Sequence, residues 1–168
     1  MQYTFNINSK EDLKSAFEQI LNNLENPVSE VNYVDLGLPS GTKWADSNAE
    51  GFFTFEEAVE KFGNALPSAI QMAELAEVCD WEYDQESKGY IVTGPNGNCI
   101  FLPVTGFMDY SDKKVYAQSY GHYWTRTPNA NKNASEAYSF SLFFYSGNVS
   151  PLNLNYRANG FAVRPVQE

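Results

Sequence analysis

Between residues 121 and 166 the chain is rich in Asn and Ser, yet it carries Phe143, Phe144, Tyr145, Leu152, Leu154 and Tyr156. A polar loop of that length normally holds few large apolar side chains. Strands accommodate them, because successive side chains point to opposite faces. The stretch opens on His122-Tyr123-Trp124 and closes on Gly160-Phe161-Ala162-Val163-Arg164-Pro165. Through 138–145 the strand period predicts Tyr138, Phe140, Leu142 and Phe144 facing a core, and Ser139, Ser141, Phe143 and Tyr145 facing out. The segment is therefore expected to display a recognition surface, with the inward side chains, Trp124, Gly160 and Val163 holding the fold.

A chain of 168 residues suits one domain with a short appendage. Its aromatic content of 15% favours sheet, where rings pack on a pleated surface. The formal net charge of -10 speaks against nucleic acid and anionic membranes, which require clustered Lys and Arg. Solubility is sufficient reason for the acidity. Cys79 and Cys99 do not make a disulfide framework. No basic, apolar signal follows Met1 and no run is long enough to span a bilayer, so synthesis in the cytoplasm without membrane insertion is expected. Two Asn-x-Ser matches, at Asn133 and Asn148, are read as chance in Asn-rich sequence.

In chain order, alternation at 3–7 predicts a short strand, and Ser9 caps a helix with Asp12 in its first turn. Leu13, Phe17, Ile20, Leu21 and Leu24 form an apolar stripe that either packs on the domain or joins subunits, and Pro27 stops the helix. After a linker at 26–30 come a strand at Tyr33-Val34-Asp35-Leu36, a turn through Gly37, Pro39 and Gly41, and a returning strand at 42–45. Thr54 caps a helix from Phe55 to Phe62 that ends at Gly63. Pro67 or Ser68 opens a third helix, with Ile70, Met72, Leu75 and Val78 available for burial. The acids and aromatics of 80–86 read as a strand or turn with a solvated acidic face, or as a calcium site. Residues 89–93 and 99–102 flank an Asn-Gly turn and predict a hairpin, after which 109–120 reads as a loop.

No constellation for catalysis emerges. His122 is the one histidine, and no motif supplies it with a nucleophile or an orienting carboxylate. Gly-x-Ser-x-Gly, phosphate-loop and His-Glu-x-x-His motifs are absent, and two isolated cysteines do not make a zinc site. The expectation is a binding protein without metal or cofactor, and no enzyme.

Several phrases carry a resemblance. The run Val34-Asp35-Leu36-Gly37-Leu38-Pro39-Ser40-Gly41-Thr42-Lys43-Trp44-Ala45 resembles the opening signature of a paralogous domain family abundant in gut Bacteroidetes. Leu66-Pro67-Ser68, the stretch from Gly89-Tyr90 to Leu102-Pro103, Tyr123-Trp124-Thr125-Arg126-Thr127 and the block at 160–165 resemble its later blocks, in the same order. The likeness runs from about 33 to 166. That family is similar to the formylglycine-generating-enzyme-like branch of the C-type lectin fold. The resemblance implies an α+β fold with twisted antiparallel sheets and two flanking helices at 31–168, and an additional N-terminal strand and helix at 1–30.

Members include variable proteins of diversity-generating retroelements, displayed on phage or cell surfaces, in which an error-prone reverse transcriptase replaces template adenines. The resemblance then implies a diversified face at Arg126, Ser139, Ser141, Phe143, Tyr145, Leu152, Asn153, Leu154, Asn155, Tyr156 and Ala158. Except for Arg126, these are of types reachable from an Asn codon by changing adenines. Arg126 stands where relatives tend to have Ser, and is reachable from it in the same way. Lys132 and Glu136 are not reachable from such an Asn codon and stay outside the set. The implied partner is an unidentified protein or glycan.

Departures narrow the reading. No Cys follows Cys99, so the redox or copper cysteines of the enzyme branch are not carried over, and the calcium-lectin motifs are missing. Without a lipoprotein signal, a phage or prophage particle is a better setting than the cell surface, unless a signal has been removed. The alternatives are an assembly or adhesive subunit that oligomerises through the N-terminal helix and, less well supported, a formylglycine-generating-type enzyme. Exposure of Phe143, Tyr145, Leu152, Leu154 and Tyr156 separates display from mere core filling.

Overall fold

The computed structural model describes residues 9–25, 31–116, 120–131, 134–143 and 149–168, with the backbone alone at 19–25, 120, 138–143 and 149–152. The chain divides into two units, Met1–Glu30 and Val31–Glu168. In the first, helix α1 spans Lys10–Glu25. Ser9 Oγ accepts from the Asp12 N–H at 3.0 Å, satisfying one of the donors a helix start leaves unpaired. Glu11 and Asp12 in the first turn complement the positive end of the helix dipole. Leu13 and Phe17 are exposed. The side chains of Ile20, Leu21 and Leu24, and the expected strand at 3–7, lie outside the described residues.

The second unit is α+β with antiparallel sheets. Strands β1 (Tyr33–Asp35) and β2 (Lys43–Ala45) are joined by β11 (Val166–Gln167), so the first and last strands of the unit share one sheet in the order β1-β2-β11. A second sheet contains β3 (Asp80–Asp84), β4 (Gly89–Thr93) and β5 (Cys99–Pro103) in sequence order. The pair β6 (Phe107–Met108) and β7 (Val115–Tyr116) forms a hairpin. The last sheet has the order β10-β9-β8, with β8 at Tyr120–Pro128, β9 at Glu136–Phe143 and β10 at Val149–Tyr156.

Two helices flank these sheets; the first starts as its sequence predicts, and of the two expected openers of the second, Pro67 and Ser68, it is Ser68 that caps it. Thr54 and Ser68 both make reciprocal capping boxes, with Glu57 and Gln71 respectively, at the starts of α2 (Phe55–Phe62) and α3 (Ala69–Val78). Gly63 closes α2 with φ +51, in the left-handed range that glycine tolerates. Helix α3 departs from expectation on its buried face. Met72 and Leu75 are buried, whereas Ile70 is 81% exposed and Val78 is also exposed. The buried stripe is Ala69, Met72, Leu75 and Cys79, which recur at three- and four-residue spacing, and Ile70 falls off it.

Two apolar clusters meet at β8. Tyr123 joins Leu36, Leu38, Trp44, Met72, Leu75, Tyr90 and Leu102 in one cluster. Its neighbour Trp124 joins Phe55, Ala58, Leu66, Ala137, Phe161 and Val163 in the other. Successive strand residues face opposite ways, so β8 is covered on both faces at this point. Both aromatic side chains are fully buried.

The expected hairpin at 89–102 is present, with β4 and β5 in register from Gly89↔Pro103 to Thr93↔Cys99. The strand reading of 80–86 also holds: Trp81 and Tyr83 pack on the first cluster while Asp80 and Glu82 stay exposed. The expected loop at 109–120 contains strand. Phe107 and Met108 pair with Tyr116 and Val115 around a polar turn, making a hairpin that the Pro103 and Gly106 breaks concealed.

Candidate recognition face

Among the described residues strand β10 lies at an edge of its sheet, and its described side chains alternate. Leu154, Tyr156 and Ala158 are exposed, whereas Asn153, Asn155 and Arg157 are half-buried. The period of two thus divides the expected outward run: Asn153 and Asn155 take the other face. Leu154 and Tyr156 are 43% and 54% exposed, too open to be core filling.

The remaining expected site residues divide by position. Ser139 stands opposite Trp124 on one side of β9 and Asn153 on the other, and Ser141 stands between His122 and Ser150. Phe143 is opposite Tyr120, and Leu152 falls where the β9–β10 register shifts between Ser150 and Asn153. The side chains of these four, and Tyr145 altogether, lie outside the described residues. Arg126 is half-buried and tied to the scaffold. Its guanidinium donates to the carbonyls of Asn64 (3.0 Å) and Leu66 (2.8 Å) and to Glu168 Oε1 (3.2 Å). A side chain held by three acceptors is poorly placed to meet a ligand.

The face extends onto an element whose sequence reads as a loop. Tyr110, Val115 and Tyr116 of the β6–β7 hairpin are about half exposed, and the Tyr110 ring lies 6.3 Å from that of Tyr156. The hairpin is fastened by main-chain bonds. Met108 and Gly160 exchange both N–H···O bonds at 2.8 Å, and Asn159 Oδ1 accepts from the Tyr110 N–H at 3.3 Å. Gly160 is favoured there, because a Cβ would sit 2.9 Å from Met108 Cβ and 3.1 Å from Phe52 Cβ, neither of which can swing away as a side-chain end could. Tyr116 stacks on Phe107 and donates its hydroxyl proton to Asp112 Oδ2 at 2.9 Å. The signal was legible in principle as two apolar pairs, Phe107-Met108 and Val115-Tyr116, around a turn of Asp, Ser and Lys.

Arg157 pins the turn after β10 to α2. Its Nε donates to Glu56 Oε1 at 2.7 Å and its guanidinium lies 4.6 Å from the centre of the Phe55 ring. Its carbonyl accepts from the Phe55 N–H at 2.9 Å. Hydrogen bonds from Ser111 and Lys114 hold the Asp109 and Asp112 carboxyls below the usual carboxylate range, so both are ionised beside the tyrosines at neutral pH.

His122 belongs to the fold. It stacks on Phe161 with centroids 4.6 Å apart and meets Phe107 edge-on. Burial pushes its pKa down to about 4 from 6.5. A histidine buried neutral stabilises the fold fully above its unfolded pKa, and that contribution disappears as pH falls from about 6.5 to about 4. The full effect is about 3 kcal/mol. The lowered carboxyls of Asp84, Asp109 and Asp112 lose their contributions only at lower pH, below about 4, and that of Glu57 below about 4.5. Urea unfolding should therefore show falling stability between pH 6.5 and 4, and His122→Phe should flatten that slope.

Among the described residues, no group of three His, Cys, Asp or Glu side chains could hold a metal ion. Cys79 is buried, with its thiol pushed up to about 11 by desolvation, so it is not a thiolate at neutral pH. Cys99 is exposed and unpaired with Cys79. An open depression lined by Phe53, Glu57, Glu60 and Lys61 has Glu57 engaged in the Thr54 capping box. Among the described residues no helix is long and apolar enough to cross a membrane.

Comparisons with curated proteins and with solved structures find no match. The model of the family described as a domain of unknown function (DUF8237) matches residues 71–166, from α3 through the edge strand β10 to β11. That is more than half of the chain, and the protein belongs to this family.

Proposed function

We propose that this protein is a ligand-binding display protein with a C-type lectin-like fold, in which a diversified set of side chains is carried by a fixed scaffold. The fold reading is supported by antiparallel sheets flanked by α2 and α3, with the first and last strands of the second unit paired through β2. One observation carries the functional reading: Leu154, Tyr156 and Ala158 are open to solvent on alternate positions of an edge strand and the turn after it. Tyrosine suits such a face, giving large contact area for little conformational entropy. The diversified set narrows to these exposed positions and those whose side chains are not described. Arg126 leaves it for the scaffold, and Tyr110 adjoins it as an undiversified contributor. The ligand class is a protein or glycan, and the setting is a phage particle or bacterial surface with a retroelement acting on the gene.

A display face must accept substitution without loss of fold, because its residues make few contacts that folding depends on. Leu154→Ser, Tyr156→Ser and Ala158→Asn should each change stability by about 0.5 kcal/mol or less in urea unfolding. A cost of about 2 kcal/mol or more at both Leu154 and Tyr156 would identify them as fold-holding residues and sink the display reading. The genetic counterpart is a nearby near-copy of the coding sequence for 123–166, differing at adenines, beside a reverse transcriptase gene.

A further inference from the structure

The β4–β5 turn contains Asn96-Gly97, both exposed. An Asn followed by Gly is chemically fragile, because no Cβ on the second residue hinders attack by its nitrogen on the Asn side chain. In that reaction the Gly97 nitrogen would bond to Asn96 Cγ and the Cγ–Nδ2 bond would break. Ammonia leaves with the proton from the Gly97 nitrogen, forming a five-membered succinimide. Water then opens the ring to Asp or isoaspartate, without oxidant or cofactor.

Every group that the reaction needs is engaged in this fold. The Gly97 N–H donates to the Gly94 carbonyl at 2.9 Å. Asn96 Nδ2 donates to the Asp35 carbonyl at 2.9 Å, and Asn96 Oδ1 accepts from the Asn98 N–H at 3.0 Å. Asn98 Nδ2 donates to the same Asp35 carbonyl at 2.8 Å. The two loops are also pressed together. A Cβ on Gly94 would lie 2.0 Å from the Leu36 carbonyl oxygen, and one on Gly37, at φ +72, would lie 2.9 Å from Asn96 Cβ.

We propose that Asn96-Gly97 is a guarded deamidation site, and that the clasp of the β4–β5 turn onto Asp35 is the guard. The product does not restore the clasp. A carboxylate at position 96 has no Nδ2 donor for the Asp35 carbonyl, and its charge stands beside that oxygen. Isoaspartate, in addition, lengthens the main chain within a turn closed between Gly94 and Asn98. Modification in a transiently opened turn thus disfavours reclosure, making the clasp a one-way latch between the first hairpin and the β3-β4-β5 sheet.

The test follows conversion of Asn96 by peptide mass spectrometry in the full chain, at mildly alkaline pH, folded and in guanidinium chloride. The folded protein should convert about tenfold or more slowly than the unfolded chain. Asn98→Ala removes one clasp donor and leaves Asn96-Gly97 intact, so folded-state conversion should rise about threefold. Equal rates in folded and unfolded wild-type protein would overturn the proposal. So would a folded Asn98→Ala protein that converts no faster than wild type, since the clasp would then not be the guard. If Asn98→Ala does not fold, the wild-type comparison still decides.

Discussion

Replacing Arg164 by Met is expected to destabilise the protein by about 3 kcal/mol, measured by urea unfolding at neutral pH. Arg164 is 1% exposed and ties three parts of the second unit together. Its Nε donates to Asn48 Oδ1 at 2.7 Å, one terminal nitrogen to the Ala45 carbonyl at 2.9 Å, and the other to the Phe101 carbonyl at 2.6 Å. Loss of one charge-assisted bond typically costs about 1.5–3 kcal/mol, and the acceptors left behind are in or near the core. Relief from burying a cation offsets part of that loss, which is why the sum stays near 3 kcal/mol and not twice it. Burial lowers the guanidinium pKa, opposed by Tyr123 and Asp46, and an arginine remains charged throughout. Arg164→Lys should not restore wild-type stability, because an ammonium cannot reach three divergent acceptors from one plane. A Met variant as stable as wild type would mean that desolvation cancels all three bonds.

Trp124→Ala should cost more, about 3–5 kcal/mol, and calorimetry should show a correspondingly lower Tm. The indole is fully buried, stacks on Phe161 with centroids 4.3 Å apart, and meets Phe55 edge-on at 5.6 Å. Its Nε1 donates to the Phe53 carbonyl at 2.7 Å, but that carbonyl also accepts from the Phe161 N–H, so truncation does not orphan it. The cost therefore comes from the cavity and the lost ring contacts. Trp124→Phe should recover a large part of it by keeping a ring against Phe161. If Trp124→Ala costs less than about 1 kcal/mol, the cluster around α2 is not a cooperative part of the fold.

Much of the fold was legible from local chemistry. Ser9 and Thr54 announced two helix starts, and Pro67-Ser68 narrowed a third to two residues, because capping depends on residues only three apart. The Asn-Gly turn announced the β4–β5 hairpin for the same reason of short range. The exposed face proposed for recognition was legible only in part. Alternation identifies Leu154 and Tyr156 as sharing a face, but a sequence does not say which of two faces is covered. At β8 both are covered, so Tyr123 and Trp124 are buried side by side, a pattern that simple in-out alternation does not produce. Ile70 shows the same limit on a helix: its apolarity promised burial, and its angular position on α3 denied it.

Side-chain partners far apart in the chain were beyond reach. Arg126 looks like a polar residue on a variable strand until Asn64, Leu66 and Glu168 are brought around it. Arg164 looks like an ordinary surface cation next to Pro165 until β2, β5 and Asn48 enclose it. By itself, then, the sequence determined the helix starts, the β4–β5 hairpin, the α+β character and the period-two texture of the last third. Tertiary structure alone decided which periodic face meets solvent, that the β6–β7 hairpin adjoins β10, and that two arginines serve the scaffold. The physical reason is range. Capping and turn formation are satisfied within a few residues, whereas exposure and the saturation of a guanidinium depend on groups that only folding brings together.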